Sequence, residues 1–256
     1  MTSADPIVEL SLLRRVRRAI GRVPVVGRFA RILWAKGHNL TFRNSRDYWE
    51  SRYAAGGNSG AGSYGPLAQW KADILNGWVR NERISSVIEF GCGDGAQLTL
   101  AEYPKYIGID VASTAVRLCM ERFSGDRTKS FFAIDPQAMS DPLGILRADM
   151  ALSLDVLYHL VEDEVRDAYL TRLFQSASRF VAIYSSDGPA PTVSAHERHR
   201  PFTPWVAANA PDWRLVKRIP NPYSMTSASD DHEVTSPADF FVYGRIERPV
   251  SAIASR

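Results

Sequence analysis

From about residue 84 onward, short apolar runs alternate with amphipathic stretches. Residues 86–90, 106–109, 131–134, 150–154 and 180–184 read as strands, each bounded by polar or glycine-rich residues. Residues 97–102 and 113–123 read as helices between them, with Ser113 placed to cap the second. Residues 162–176 show a helical period, with Val165, Tyr169, Leu170, Leu173 and Phe174 on one face. Strands separated by helices predict a parallel sheet covered on both faces. The end of the chain departs from that rhythm. Residues 213–219 and 240–246 are both strand-like, but only a loop rich in Pro, Ser and Asp joins them. Without a crossover helix the pair is expected to be antiparallel.

The first strand runs into Val87-Ile88-Glu89-Phe90-Gly91-Cys92-Gly93-Asp94-Gly95. Glycines let a backbone turn sharply and lie against a ligand. Such a turn at the C-terminal end of the first strand is where open α/β sheets bind ligands. The second predicted strand ends in Asp110, whose carboxylate can accept hydrogen bonds from both hydroxyls of a ribose. Asp135 follows the third strand and is placed to face an adenine amino group. Gly91, Gly93 and Ala96 also fit the looser dinucleotide fingerprint. Three features favour a methyl donor over a dinucleotide. Glu89 lies two residues before the first glycine, where a carboxylate can hold a methionine amino group. The glycines recur at 91, 93 and 95. The sheet is expected to close with an antiparallel strand.

On these residues the chain resembles bacterial class I S-adenosylmethionine-dependent methyltransferases, over about residues 48–246. It is most similar to small methyltransferases associated with polysaccharide synthesis. The resemblance is carried by Tyr48-Trp49-Glu50-Ser51-Arg52-Tyr53, the glycine-rich loop 56–65, the glycine turn, Asp155-Val156-Leu157-Tyr158-His159-Leu160, and His196-Glu197-Arg198-His199-Arg200. It implies an α/β, Rossmann-like fold: a mostly parallel seven-stranded sheet with an antiparallel C-terminal strand and helices on both faces. It implies S-adenosyl-L-methionine as cofactor and O-methylation of a sugar hydroxyl in glycan synthesis. Another small molecule or a lipid-linked acceptor is the alternative within that class. A non-catalytic module that binds the cofactor is the alternative outside it.

The segment after the fourth strand is expected to line the transfer site, with Asp155 at the cofactor and Tyr158 at the acceptor. His159 is the candidate general base, because an imidazole with an ordinary pKa of ~6.5 exchanges protons near neutrality. His196, His199 and Arg200 suit a sugar, carboxylate or phosphate, and Asp187 is a further candidate for acceptor contact. Arg52 precedes the glycine-rich loop and is a candidate partner for the cofactor carboxylate. The loop itself reads as a lid that excludes water. No Cys/His spacing resembles a zinc site, and no metal ligand is assigned.

Composition refines this picture in three ways. The chain has 256 residues, 45% of them hydrophobic, which suits one catalytic domain with an extension. Two cysteines are too few for a disulfide framework, so a reducing, cytoplasmic setting is expected. Residues 10–46 hold ten basic side chains and no acidic one, which leaves everything from Asp47 onward net acidic. An acidic body is a poor match to a phosphate backbone, so no nucleic-acid partner is expected. Asn221-Pro222-Tyr223 is only superficially like the motif of DNA amino methyltransferases, since it stands far from the end of the fourth strand. The expected organisation is a basic amphipathic extension (1–46), an aromatic and glycine-rich lid with a helix (47–83), the catalytic domain (84–247) and a tail (248–256). Leu12, Leu13, Val16, Ile20 and Val23 recur at helical spacing among arginines. Residues 10–36 therefore suit a peripheral membrane surface. Packing on the body or on a second subunit fits the same pattern, and the pattern does not fix the oligomeric state.

Overall fold

Two apolar faces on one set of strands organise this molecule. The computed structural model describes residues 42–190, 192, 194–225 and 234–246. Seven strands form one sheet: β1 (Val87–Phe90), β2 (Tyr106–Asp110), β3 (Lys129–Ala133), β4 (Ala148–Leu154), β5 (Ala177–Ser185), β6 (Trp213–Ile219) and β7 (Asp239–Arg245). Their order is β3-β2-β1-β4-β5-β7-β6. β1 pairs in parallel with β2 on one side and β4 on the other. β7 inserts antiparallel between β5 and β6, as the helix-free connection predicts.

Five α-helices flank the sheet among the described residues: α1 (Ser45–Ala54), α2 (Gly65–Asn81), α3 (Ser113–Arg122), α4 (Asp163–Gln175) and α5 (Thr203–Asn209). Alternate strand residues point to opposite sides. Val87, Met150, Leu152 and Phe240 join one buried cluster, which α2 completes with Leu75 and Val79. Ile88, Ala151, Ile183 and Phe241 join the other, with Leu170 and Leu173 of α4. Burial of each such side chain contributes about 1.5–3 kcal/mol, and covering both faces makes β1 and β4 continuous apolar runs.

Local chemistry accounts for the departures from the pattern. The expected helix at 97–102 is a single 3-10 turn, Gln97–Leu100. Asn76 interrupts it by donating to the Leu100 carbonyl and accepting from the Glu102 amide. Ser113 does not cap α3; Ala112 is its N-cap residue, without a side-chain cap. The free amides there go to carboxylates: Ala112 N–H to Asp110 and Thr114 N–H to Glu50. α1 begins at Ser45, inside the segment expected to be extension, because Asn44 caps it by accepting from the Asp47 amide. α5 has no counterpart in the periodicity, being too short to show one. The predicted amphipathic segment 10–36 and the tail 248–256 lie outside the described residues. Among the described residues no helix is long and apolar enough to cross a membrane.

Candidate functional site

The strand order reverses between β1 and β4, and a crevice opens at their C-terminal ends. It encloses about 740 Å³, the size of a small-molecule site. The glycine turn forms its floor, with φ of +82° at Gly91 and +57° at Gly93. A Cβ at Gly91 would lie 2.4 Å from a methyl carbon of Val156, and one at Gly93 would lie 2.2 Å from Ser59 Oγ. Neither position therefore admits a side chain. Gly95 serves packing and is not among the cavity's wall residues: its Cβ would meet the ring of Phe123, the C-cap of α3, at 2.8 Å and Cys119 Sγ of α3 at 3.0 Å.

Four predicted carboxylates, Glu89, Asp110, Asp135 and Asp155, line this cavity. Glu89 is buried, and burial pushes its pKa up to about 7, against the hydrogen bond from Tyr106 and the nearby Lys71 charge. The Tyr106 hydroxyl donates to Glu89 Oε2 at 2.6 Å. Asp110 is also buried, and desolvation raises it to about 6, opposed by the backbone amides of Ala112 and Gly93. Each of its oxygens accepts one of those amides at 2.9 Å. A carboxylate oxygen has two lone pairs, so each keeps capacity for a ligand hydroxyl. Asp135 stands two residues beyond β3 and pairs with Arg46 at 3.3 Å.

Asp155 lies at the end of β4 in a left-handed conformation, φ +58°. Its Oδ2 meets Lys71 Nζ at 2.5 Å, and its Oδ1 accepts from the Tyr158 hydroxyl at 2.7 Å. Lys71 is fully buried, one of the largest such side chains in the protein. It was not singled out from the sequence, although a signal exists. Leu67, Ala68, Ala72, Leu75 and Val79 mark the buried face of α2, and Lys71 falls on that same face. A cation there needs an anionic partner, and the cavity carboxylates supply it.

The remaining predicted residues divide. His159 is a wall residue of the cavity, with Trp49 edge-on at 5.0 Å. Tyr158, His196, His199, Arg200, Arg52 and Asp187 are not wall residues. Arg52 donates through Nε to the Asn58 carbonyl of the glycine-rich loop at 2.7 Å. Asp187 caps the start of α5, accepting from Phe202 N at 2.7 Å and Thr203 N at 3.0 Å. Arg200 likewise braces the segment after β4, donating to the Leu160 carbonyl at 2.6 Å and pairing with Asp163 at 2.7 Å. His199 holds Ser186 at 2.7 Å, and His196 stacks on Tyr48 with ring centroids 4.2 Å apart.

The glycine-rich loop is tethered to the glycine turn. Ser59 and Tyr64 donate to the two oxygens of Asp94 at 2.7 and 2.8 Å. Ser59 and Tyr53 sit directly above Gly93, so this loop roofs the turn. Gln97 was also missed from the sequence. It lines the cavity, yet its Oε1 is buried and accepts nothing from the described residues. An ammonium group in the cavity would satisfy it, and Glu89 would supply the countercharge. With the Asp110 oxygens, these atoms fit an amino-acid-bearing nucleoside.

No family model and no curated protein matches this chain. Solved structures do. The N-methyltransferase NodS from Bradyrhizobium japonicum WM9, in complex with S-adenosyl-L-homocysteine, superposes with a TM-score of 0.59 at 16% identity, covering 80% of this chain and 100% of its own. The fold is that of class I S-adenosylmethionine-dependent methyltransferases. Magnesium protoporphyrin IX methyltransferase (ChlM) from Synechocystis PCC 6803, with bound SAH, gives 0.52 at 15% identity over 69% of this chain and 83% of that one. The methyltransferase domain of bacterial CtHen1-C gives 0.52 at 17% identity over 70% and 98%. Identities this low speak for the methyltransferase fold alone. One of these proteins is an N-methyltransferase and another a magnesium protoporphyrin IX methyltransferase, so the fold does not choose the acceptor.

Proposed function

We propose that this protein is an S-adenosylmethionine-dependent methyltransferase. The observation that carries the reading is the buried pair Glu89 and Asp110, set at adjacent strand ends around a glycine turn that tolerates no side chain. Glu89 and Gln97 would hold the amino group, Asp110 the ribose hydroxyls, and Asp135 the adenine end. When bound, the cofactor supplies a methyl group on a positively charged sulfur. The loop through Ser59 excludes water from that end of the cavity. His159 and Trp49 stand on the cavity wall as the groups that meet the acceptor. We read the acceptor as a sugar hydroxyl. An indole face suits the C–H face of a sugar ring, and an imidazole can take the hydroxyl proton. Orientation of the hydroxyl toward the sulfonium carbon would supply much of the rate.

The test has two stages. Calorimetry of the purified full-length chain should show binding of S-adenosylhomocysteine and none of NADH. Transfer of radiolabelled methyl from the cofactor should then be measured on free sugars, nucleotide sugars and lipid-linked glycans, with His159→Ala lowering the rate about 10²-fold. NADH binding without S-adenosylhomocysteine binding overturns the reading. Cofactor binding with transfer only to non-sugar acceptors overturns its sugar part.

A further inference from the structure

The turn after β4 and the segment after β5 meet in a cluster that the cofactor does not use. A ring nitrogen of His159, a ring nitrogen of His196 and a carboxylate oxygen of Glu197 all lie within 4.8 Å of one another. The two imidazoles are nearly parallel, with centroids 5.4 Å apart. Each donor has an outer partner that fixes it. His159 Nδ1 lies 3.3 Å from the His196 carbonyl, which assigns the proton to Nδ1 and the lone pair to Nε2. Thr192 donates to Glu197 Oε2 at 2.6 Å, while Oε1 lies 3.7 Å from His196 Nε2. The backbone is tied as well, since the Arg198 amide donates to the Tyr158 carbonyl at 2.7 Å. A histidine held through its second nitrogen by a carbonyl, next to an anchored carboxylate, is the usual outer architecture of a metal site.

We propose that His159, His196 and Glu197 bind one divalent transition-metal ion. Two imidazoles and one carboxylate suit zinc, cobalt or iron(II), whereas magnesium and calcium prefer all-oxygen sets. Bonds of ~2.1 Å in a tetrahedral arrangement set donors ~3.4 Å apart, so the three side chains close by about 1 Å on binding. Tyr48, whose hydroxyl is 3.2 Å from His196 Nε2, turns its proton away when that nitrogen takes the ion. Three protein donors leave the ion with open positions. His159 also forms the cavity wall, so an ion held there would lie beside the cavity. The ion would lower the pKa of a coordinated acceptor hydroxyl so that its proton passes to solvent water, in place of direct abstraction by His159. That last role rests on the methyltransferase reading; the binding of the ion does not.

The experiment titrates Co²⁺ into the full-length chain after removal of metals by chelation, and follows the visible absorption of four- or five-coordinate cobalt. One equivalent should bind, Zn²⁺ should displace it, and Mg²⁺ should not. His159→Gln and Glu197→Gln should each weaken binding at least tenfold while keeping the wild-type circular dichroism. In the wild-type protein, NMR signals of the His159 and His196 rings should broaden on addition of Co²⁺, which locates the ion even if a variant misfolds. Absence of the absorption, sharp ring signals at saturation, or unchanged affinity in both folded variants overturns the site. Calorimetry with S-adenosylhomocysteine on the same samples separates the two readings. Cofactor binding without cobalt binding leaves His159 as a plain base and the metal site wrong; cobalt binding without cofactor binding sinks the methyltransferase reading and leaves the site standing.

Discussion

Replacing Lys71 by Met tests whether the carboxylate site depends on a buried cation. The substitution keeps most of the stem's volume and removes only the charge. Lys71 is fully buried and bonds Asp155 at 2.5 Å. Removing one partner of a buried ion pair costs about 3–5 kcal/mol, because the other charge is left without compensation. The Asp155 side chain keeps 14% exposure toward the cavity, which lets water in and puts the expected loss near the lower end. A loss of ~3 kcal/mol corresponds to a melting point about 6–12 °C lower for a domain of this size. The double variant Lys71→Met/Asp155→Asn should recover much of it, since the stranded anion is then gone. The assay is urea unfolding of the four proteins in the cycle. Lys71→Met unfolding within about 1 kcal/mol of wild type, or a double variant as unstable as the sum of the singles, refutes the argument. Lys71 also lowers the pKa of Glu89. Its loss should therefore weaken S-adenosylhomocysteine binding at neutral pH, and binding should recover at higher pH.

Two further outcomes follow from the same geometry. Glu89 titrates at about 7 in the free protein, and it must be ionised to hold an ammonium group. Affinity for S-adenosylhomocysteine should therefore fall as pH drops below about 7, approaching tenfold per pH unit, and calorimetry giving a flat affinity between about pH 6 and 8 would remove Glu89 from the amino-group role. Gly91→Ala combines φ +82° with a Cβ 2.4 Å from a Val156 methyl, so cofactor binding should be lost even where the chain still folds; normal binding in that variant would show that the turn has room to spare.

The sequence by itself determined the sheet and the place of the site. Period-two and buried apolar runs are local signals, and they located all seven strands, including the antiparallel ending read from a connection without a helix. Glu89, the glycines and Asp110 were legible for a similar reason. Their roles follow from standing at strand ends, which the strand pattern fixes. What only the tertiary structure decided is which polar groups meet. Asp187 stands at a strand end like Asp110, yet packing brings the start of α5 to it and its oxygens go to two amides. Arg52 donates to a carbonyl six residues on. Glu197 stands beside His196 in the sequence, but only the fold brings His159, from a segment far away in the chain, to the same pair. Lys71 shows the boundary between the two kinds of information. The helical period put it on the buried face, but the period could not name the anion waiting there, because hydrogen bonds and ion pairs act over a few ångströms and only the folded chain brings such distant residues that close.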